Sequence, residues 1–451
     1  MGKKRYLFRK TSNGNNPYRV FFLLILVLGG LFVLRGYGEG SVKPLFNPTP
    51  TPTRIPQSHS FEGETHFLVG DLNAAIASYR RALALDPKNA QLWAELARIQ
   101  VYSSNLLTTD QQRKQRLSEA LDSANEATRL APEDSTAHAV RAFVLDWYAN
   151  PTLAGEKSAA YLTEAEQEAV RALTLDNQNT LALVYYAEIL NDQQKWTQAG
   201  QVIQQALQRD STLMDVHRVN AILLESQGQY TAAIKEYEQA AAIAPNLTFL
   251  YINIGVNYRH LASRATDTPT QTKLYEKSLE YFVKAANLNE QLKVKDPIPY
   301  LAISKTYSQM GEFFIAARNV MHALQFDPTS PDVYGQLGII YFKSRNYEGS
   351  IPALKCATKG CSAKESCEVR ECDEKSDPAI EIPGMPLSGS TLVYYYTYGS
   401  VLAGMHRPNN SYCQESLKVL EEIRRAYSND PSTMAIIQAS EQICASFGVT
   451  R

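Results

Sequence analysis

Between residues 57 and 358, small, aromatic and polar positions recur in a fixed order that predicts paired helices. Three segments align without gaps: Gly70-DLNAAIASYRRALALD-Pro87, Gly228-QYTAAIKEYEQAAAIA-Pro245 and Gly311-EFFIAARNVMHALQFD-Pro328. Each has alanine at Ala75, Ala233 or Ala316 and a second at Ala82, Ala240 or Ala323. The helix before each segment shows a matching register, with Gly255 and Tyr258 in Tyr251-INIGVN-Tyr258 and Gly338 and Tyr341 in Tyr334-GQLGII-Tyr341. Small residues let two antiparallel helices approach closely, while the aromatic rings fill the gaps between neighbouring pairs. Glycine makes the turn, and proline stops the second helix while tolerating the start of the next. No such pair can bury its own apolar face, so the pairs must stack.

This register resembles the tetratricopeptide repeat, a 34-residue helix-turn-helix. The likeness covers residues 57–358 as about eight units, with a degenerate ninth unit and a capping helix over 392–451. It implies an all-α protein built as a right-handed superhelical α-solenoid. The closing positions Pro87, Pro132, Asn177, Ser211, Pro245, Glu290 and Pro328 lie 45, 45, 34, 34, 45 and 38 residues apart. Three units therefore carry eleven extra residues, at 103–114, 149–160 and 262–273, between their two helices. Such inserts emerge along one edge of a solenoid, and loop growth of this kind costs little.

A second pattern precedes the repeats. Residues Val20 to Leu34 contain no charge, and Arg35 closes the run. Fifteen residues are short for a span, which needs about 20. The flanking Tyr18, Arg19, Arg35 and Tyr37 can sit at the headgroup level, however, and extend the segment. The flanks favour an uncleaved transmembrane signal-anchor over 20–37; a cleaved signal, giving a secreted periplasmic protein, is the alternative. Six cationic residues in 1–19, with no acidic one, predict a cytoplasmic N-terminus and an extracytoplasmic body. Residues 38–56 read as a Pro/Thr-rich linker of extended character.

Charge divides along the same boundary. Residues 1–54 hold nine Lys/Arg and one Glu, whereas the rest hold 36 Lys/Arg and 45 Asp/Glu, or +8 against −9. An acidic body argues against nucleic acid as a main partner, since phosphate contacts need a cationic surface. No HExxH, GxSxG, phosphate-cradling or dinucleotide-binding motif occurs, so neither catalysis, nor a metal, nor a cofactor is expected. His59 and His66, with Glu62 and Glu64 between them, and likewise His138 and His217, fall on packing positions of the repeat.

The resemblance implies a concave binding surface on the first helices, suited to a protein or peptide partner. Its positions here are Leu181, Val184, Glu188, Asn191 and Asp192; Asp215, Arg218, Ile222, Glu225 and Ser226; Phe249, Ile252, Val256, Arg259 and His260; and Ile298, Leu301, Lys305, Ser308 and Gln309. The family's carboxylate clamp is missing at Ser60 and Glu64. Its asparagine ladder is missing too, since Asn253 stands alone.

The six cysteines complete the reading. Cys356, Cys361, Cys367 and Cys372 fall within seventeen residues, the first ending the last regular helix of the eighth unit and the others in an irregular insertion, 359–391, while Cys413 and Cys444 lie on the last two predicted helices. In an exported body an even six predicts three disulfides, with Cys413–Cys444 favoured and pairing among the other four left open. The acids Glu365, Glu368, Glu371, Asp373 and Glu374 beside these cysteines read as a solvated loop, against the rival of an active site. The layout resembles membrane-anchored bacterial envelope repeat proteins. The expected role is therefore an extracytoplasmic interaction scaffold, with an accessory or regulatory subunit of an envelope enzyme, for example one handling polysaccharide, as the alternative.

Overall fold

The computed structural model of the chain describes residues 16–38, 55–373 and 377–450. The basic tail up to residue 15, most of the expected linker and Glu374 lie outside them. The chain forms two compact units, residues 1–54 and 55–451.

In the first unit, α1 (Pro17–Gly38) extends the charge-free run at both ends. Its segment Pro17–Gly36 has 20 residues, a mean hydropathy of 2.2 and no burial. At ~1.5 Å per residue it is about 30 Å long, the thickness of a bilayer core. Length and composition thus suit a span, and they suit a signal sequence equally.

The second unit is helical, and its helices come in antiparallel pairs. These are α2 (Pro56–Leu68) with α3 (Leu72–Leu85), and α4 (Ala90–Ser104) with α5 (Asp110–Leu130). Next, α6 (Ser135–Tyr148) leads through the one-turn α7 (Pro151–Ala154) to α8 (Ser158–Leu175). Then come α9 (Thr180–Asp192) with α10 (Trp196–Arg209), α11 (Met214–Ser226) with α12 (Tyr230–Ile243), and α13 (Thr248–Arg264) with α14 (Thr268–Leu292). The regular series ends with α15 (Ile298–Met310) and α16 (Phe313–Phe326), and α17 (Pro331–Lys343) and α18 (Tyr347–Thr358). First helices lie against one another, α4 on α6, α6 on α9 and α9 on α11, so they form one continuous inner layer.

Side chains at each closing turn explain the sharp boundaries. Trp93, His138, His217, Tyr251 and Tyr334 occupy the fourth position of their units. Each reaches back six residues to the carbonyl of Pro87, Pro132, Ser211, Pro245 or Pro328, at 2.8–3.1 Å. The two histidines also bridge to Glu168 and Glu236, at 2.6 and 2.7 Å. The Glu236 carboxylate holds the His217 pKa above its usual value. His59 pairs with Glu62 at 3.2 Å, and His66 is half-buried. Glycine is needed where helices touch most closely: a Cβ on Gly255 would stand 2.5 Å from the Phe282 ring.

In two units the extra residues chiefly lengthen second helices, α5 and α14 having 21 and 25 residues against 14 in α3, α10, α12 and α16; in the third unit they form α7 and a short turn ahead of the 18-residue α8. The cause is local capping. Thr109 and Gln112 form a reciprocal capping box that starts α5 early, and Asp267 accepts from the Thr270 amide at 2.8 Å to start α14.

The insertion after α18 is organised around α19 (Ala363–Arg370) and a two-way backbone bridge between Cys361 and Ile382. Disulfides pair neighbours, Cys356 with Cys361 and Cys367 with Cys372, at Cα separations of 4.6 and 5.0 Å. Glu365 completes a capping box with Ser362 and pairs with Lys355 at 2.5 Å; these donors pull its carboxyl down to about 2. Beyond it, α20 (Leu392–Gly404) packs on α21 (Tyr412–Tyr427) and α22 (Pro431–Ser446). Cys413 on α21 is bonded to Cys444 on α22, with Cα atoms 5.5 Å apart.

Candidate binding surface on the inner face of the solenoid

The superhelix coils tightly enough to meet itself. Asn246, after α12, donates to the Leu68 carbonyl at 3.1 Å, and Thr108 bonds Asp327, contacts spanning 178 and 219 residues. Gly70 permits the first of these. Its φ is +84°, and a Cβ there would lie 2.2 Å from the Asn246 carbonyl oxygen.

This closure divides the inner face in two. In the part lined by α4, α6, α9, α11 and α13, opposite walls touch, and six of the predicted surface positions are buried: Val184, Glu188, Asn191, Asp215, Arg218 and Phe249. Two of them, Asp215 and Phe249, are covered because Tyr102 and Arg98 of α4 fill the space they were expected to line. The Tyr102 ring stacks on Phe249 at 5.5 Å, and its hydroxyl and the Arg98 guanidinium both bond Asp215. Arg218 forks onto Glu188 through two bonds of 2.7 Å, and Trp147 donates to the same carboxylate at 3.2 Å. Arg98 also donates to the Tyr185 hydroxyl at 3.0 Å. Both guanidinium groups lie over aromatic faces, Arg98 above Phe67 and Arg218 above Phe143, each 5.4 Å from the ring centroid. Two cations and two anions therefore neutralise one another inside the coil.

A cavity of about 310 Å³ remains beside this cluster, lined in part by Tyr102, Arg218, Ile252, Asn253 and Asp296. Asp296 is buried and accepts from Asn289 Nδ2 and the Ile298 amide, both at 2.9 Å. Burial outweighs these donors and pushes its carboxyl up to about 7. Since the folded chain holds this proton more tightly than the unfolded chain, the stability it contributes is greatest below about pH 4 and is lost as pH rises towards 7. Asp296→Asn mimics the protonated form. Its stability relative to the parent should rise across that window by up to ~4 kcal/mol in urea titrations at successive pH values. A difference that stays flat from pH 4 to 8 would contradict the assignment.

The other part of the inner face stays open. Leu181, Ile222, Glu225, Ile252, Val256, Arg259 and Leu301 are half-buried, and Asp192, His260 and Lys305 are exposed. Tyr237 and Asn257 hold Glu225 at 3.1 and 3.2 Å. Arg259 on α13 donates to the Ala302 carbonyl at 3.2 Å and lies over the Phe282 ring, but pairs with no carboxylate among the described residues. Loss of hydration without a carboxylate pushes its pKa down to about 10. Lys305 on α15 is lowered by burial and by the Arg259 charge, and His260 is lowered by burial, with Arg259, Arg264 and Lys305 adding to the effect. His260 stacks on Tyr230 at 5.0 Å, and Arg264 lies above the same ring. The result is a cationic strip along α13 and α15. Sequence register alone missed Arg98, Tyr102, Asp146, Trp147, Trp196 and Asp296. A legible signal existed for one of them, because Asp146 ends the apolar run Ala142-FV-Leu145.

Two stretches match family models of the tetratricopeptide repeat: residues 63–101 match "TPR repeat" and residues 221–247 match "Tetratricopeptide repeat". No curated protein matches the sequence. Among solved structures, human IFIT1 in a dimer with m7Gppp-AAAA aligns over 89% of this chain and 92% of its own, at 14% identity and a TM-score of 0.53. The APC/C hetero-tetramer Cut9–Hcn1 aligns over 69% of this chain at 14% identity, with a TM-score of 0.46; this chain spans about half of it, 53%. A thermophilic TPR protein of Thermus thermophilus, TTC0263, aligns over 45% of this chain and 98% of its own, at 18% identity and a TM-score of 0.37. At such identities the likeness concerns the fold alone. The repeats mark this chain as a solenoid of the kind that mediates protein–protein interaction.

Proposed function

We propose that the protein is a membrane-anchored, extracytoplasmic scaffold that gathers partner proteins at an envelope. Residues 20–37 hold it in the lipid bilayer, the N-terminus is cytoplasmic and the solenoid lies outside. The exposed apolar side chains of α1, the basic residues before it and the three disulfides support this topology. The partner-binding surface is the open strip of α13 and α15, where Val256 and Leu301 flank Arg259, His260 and Lys305. The observation that carries this assignment is the unpaired charge of Arg259: a half-buried guanidinium without a carboxylate is best satisfied by an acidic segment of another protein.

Crosslinking and affinity purification from native membranes, with anchor and linker intact, provide the test. A reproducible partner should be recovered with the parent chain and lost with Arg259→Glu/Lys305→Glu. Recovery of no reproducible partner, or of the same partner by the charge-reversed variant, would overturn the reading.

A further inference from the structure

The insert of the third unit builds a wall. After α6, residues Ala149, Asn150 and Pro151 turn into α7 and, with Ser158 at the start of α8, close one side of a cavity of about 610 Å³. The opposite side is formed by α9, the start of α10 and the end of α11. Three carboxyl side chains line it, Asp146, Glu188 and Asp192, and no Lys, Arg or His does. Glu188 is neutralised by Arg218, but Asp146 and Asp192 have no cation of their own.

Asp146 is 3% exposed and Asn191 is 6% exposed, yet Asp146 Oδ1 and Asn191 Oδ1 have no hydrogen-bond partner among the described residues. Buried oxygens are rarely left unsatisfied, because each forfeits its hydration without return. Both acceptors therefore want a donor from outside the chain. Burial, with the adjacent Asp192 and Glu188 charges, raises the Asp146 pKa well above the carboxylate range. Asp192, at the exposed mouth, is pushed up to about 6 by loss of hydration and by Glu188. Trp147 and Trp196 add aromatic surface and Ile222 an aliphatic one. This apolar lining beside the carboxyl groups suits an organic ligand that carries both a charged head and a carbon stem.

We propose that this cavity binds an organic cation, a primary ammonium or guanidinium group on an apolar stem. The charged head donates to Asp146 Oδ1 and Asn191 Oδ1 and pairs with Asp192, while the stem lies against the indole rings. The site does not depend on the strip of α13 and α15, and either assignment can fail without the other. Such a group could belong to a free amine or to a lysine or arginine side chain of a polypeptide, and titration separates the two. Full-length protein in detergent is titrated calorimetrically with agmatine and cadaverine, with the capped tripeptides acetyl-Gly-Lys-Gly-amide and acetyl-Gly-Arg-Gly-amide, and with neutral 1,5-pentanediol.

At least one cationic probe should bind one-to-one and at least tenfold tighter than the diol. Binding of the free amines alone assigns the site to small metabolites, and binding of the tripeptides assigns it to a basic side chain. Asp146→Asn should weaken that binding tenfold or more with the melting temperature kept or raised, and Asp192→Asn, at the mouth, should weaken it severalfold. Absence of binding by all four cationic probes at 10 mM, equal binding of the diol, or unchanged binding in both variants would overturn the proposal.

Discussion

Replacing Arg218 with methionine is expected to destabilise the solenoid by about 3–5 kcal/mol, the cost of stranding buried charge. The side chain is 2% exposed and forks onto Glu188, with Asp215 at 3.5 Å from its Nε. Methionine keeps much of the volume, so the loss reports the missing charge more than a cavity. After the change Glu188 retains only the Trp147 donor, and the interior holds one cation against two anions. The damage should extend beyond one repeat, because this cluster joins α4 to α9 and α11 across the coil. A companion change, Glu188→Leu, removes the stranded carboxylate, and the double variant should recover more than half of the loss. Urea titration of the single and double variants measures both quantities. A single-variant loss below about 1 kcal/mol would show that water reaches the cluster and that the coil is not closed.

A second large effect is expected at the C-terminus. Removing the Cys413–Cys444 bridge with a Cys413→Ser/Cys444→Ser double variant should cost ~3–4 kcal/mol, since it closes a loop across 31 residues of sequence separation. Both cysteines are fully buried with Ala403, so the buried hydroxyls that replace them add to the penalty. The bridges Cys356–Cys361 and Cys367–Cys372 each span only five positions and constrain the unfolded chain less. Because repeat proteins draw their stability from neighbouring contacts, the loss should be confined to the end of the stack. Amide hydrogen exchange should quicken across α21 and α22 while α4 to α13 keep their protection. Uniform acceleration along the chain would contradict this, as would none at all.

Much of the fold was legible because the repeat uses local rules. Gly255 against Phe282, the proline stops and the fourth-position rings act within one unit or between adjacent ones. A single sequence with many copies therefore displays them. The helical length of the inserts was not legible, because Thr109 and Asp267 read as ordinary loop residues until they cap α5 and α14. The same limit applies to the candidate surface. Register assigned Glu188, Asp215 and Arg218 to the expected surface, but nothing in it records that they pair with one another and with Arg98 across the coil.

Composition and spacing alone thus determined a charge-free segment near the N-terminus, a stack of helical hairpins and the inward register of each first helix. These follow from periods of a few residues and from the volumes of single side chains. Tertiary structure decided how tightly the stack coils, and hence that Tyr102 meets Phe249 and Arg98 meets Asp215. It also decided that Arg259 stays open and that Asp146 lines a cavity walled by an insert. Each of these contacts joins residues from separate units. Small rotations per unit add along the solenoid, and no local pattern records their sum.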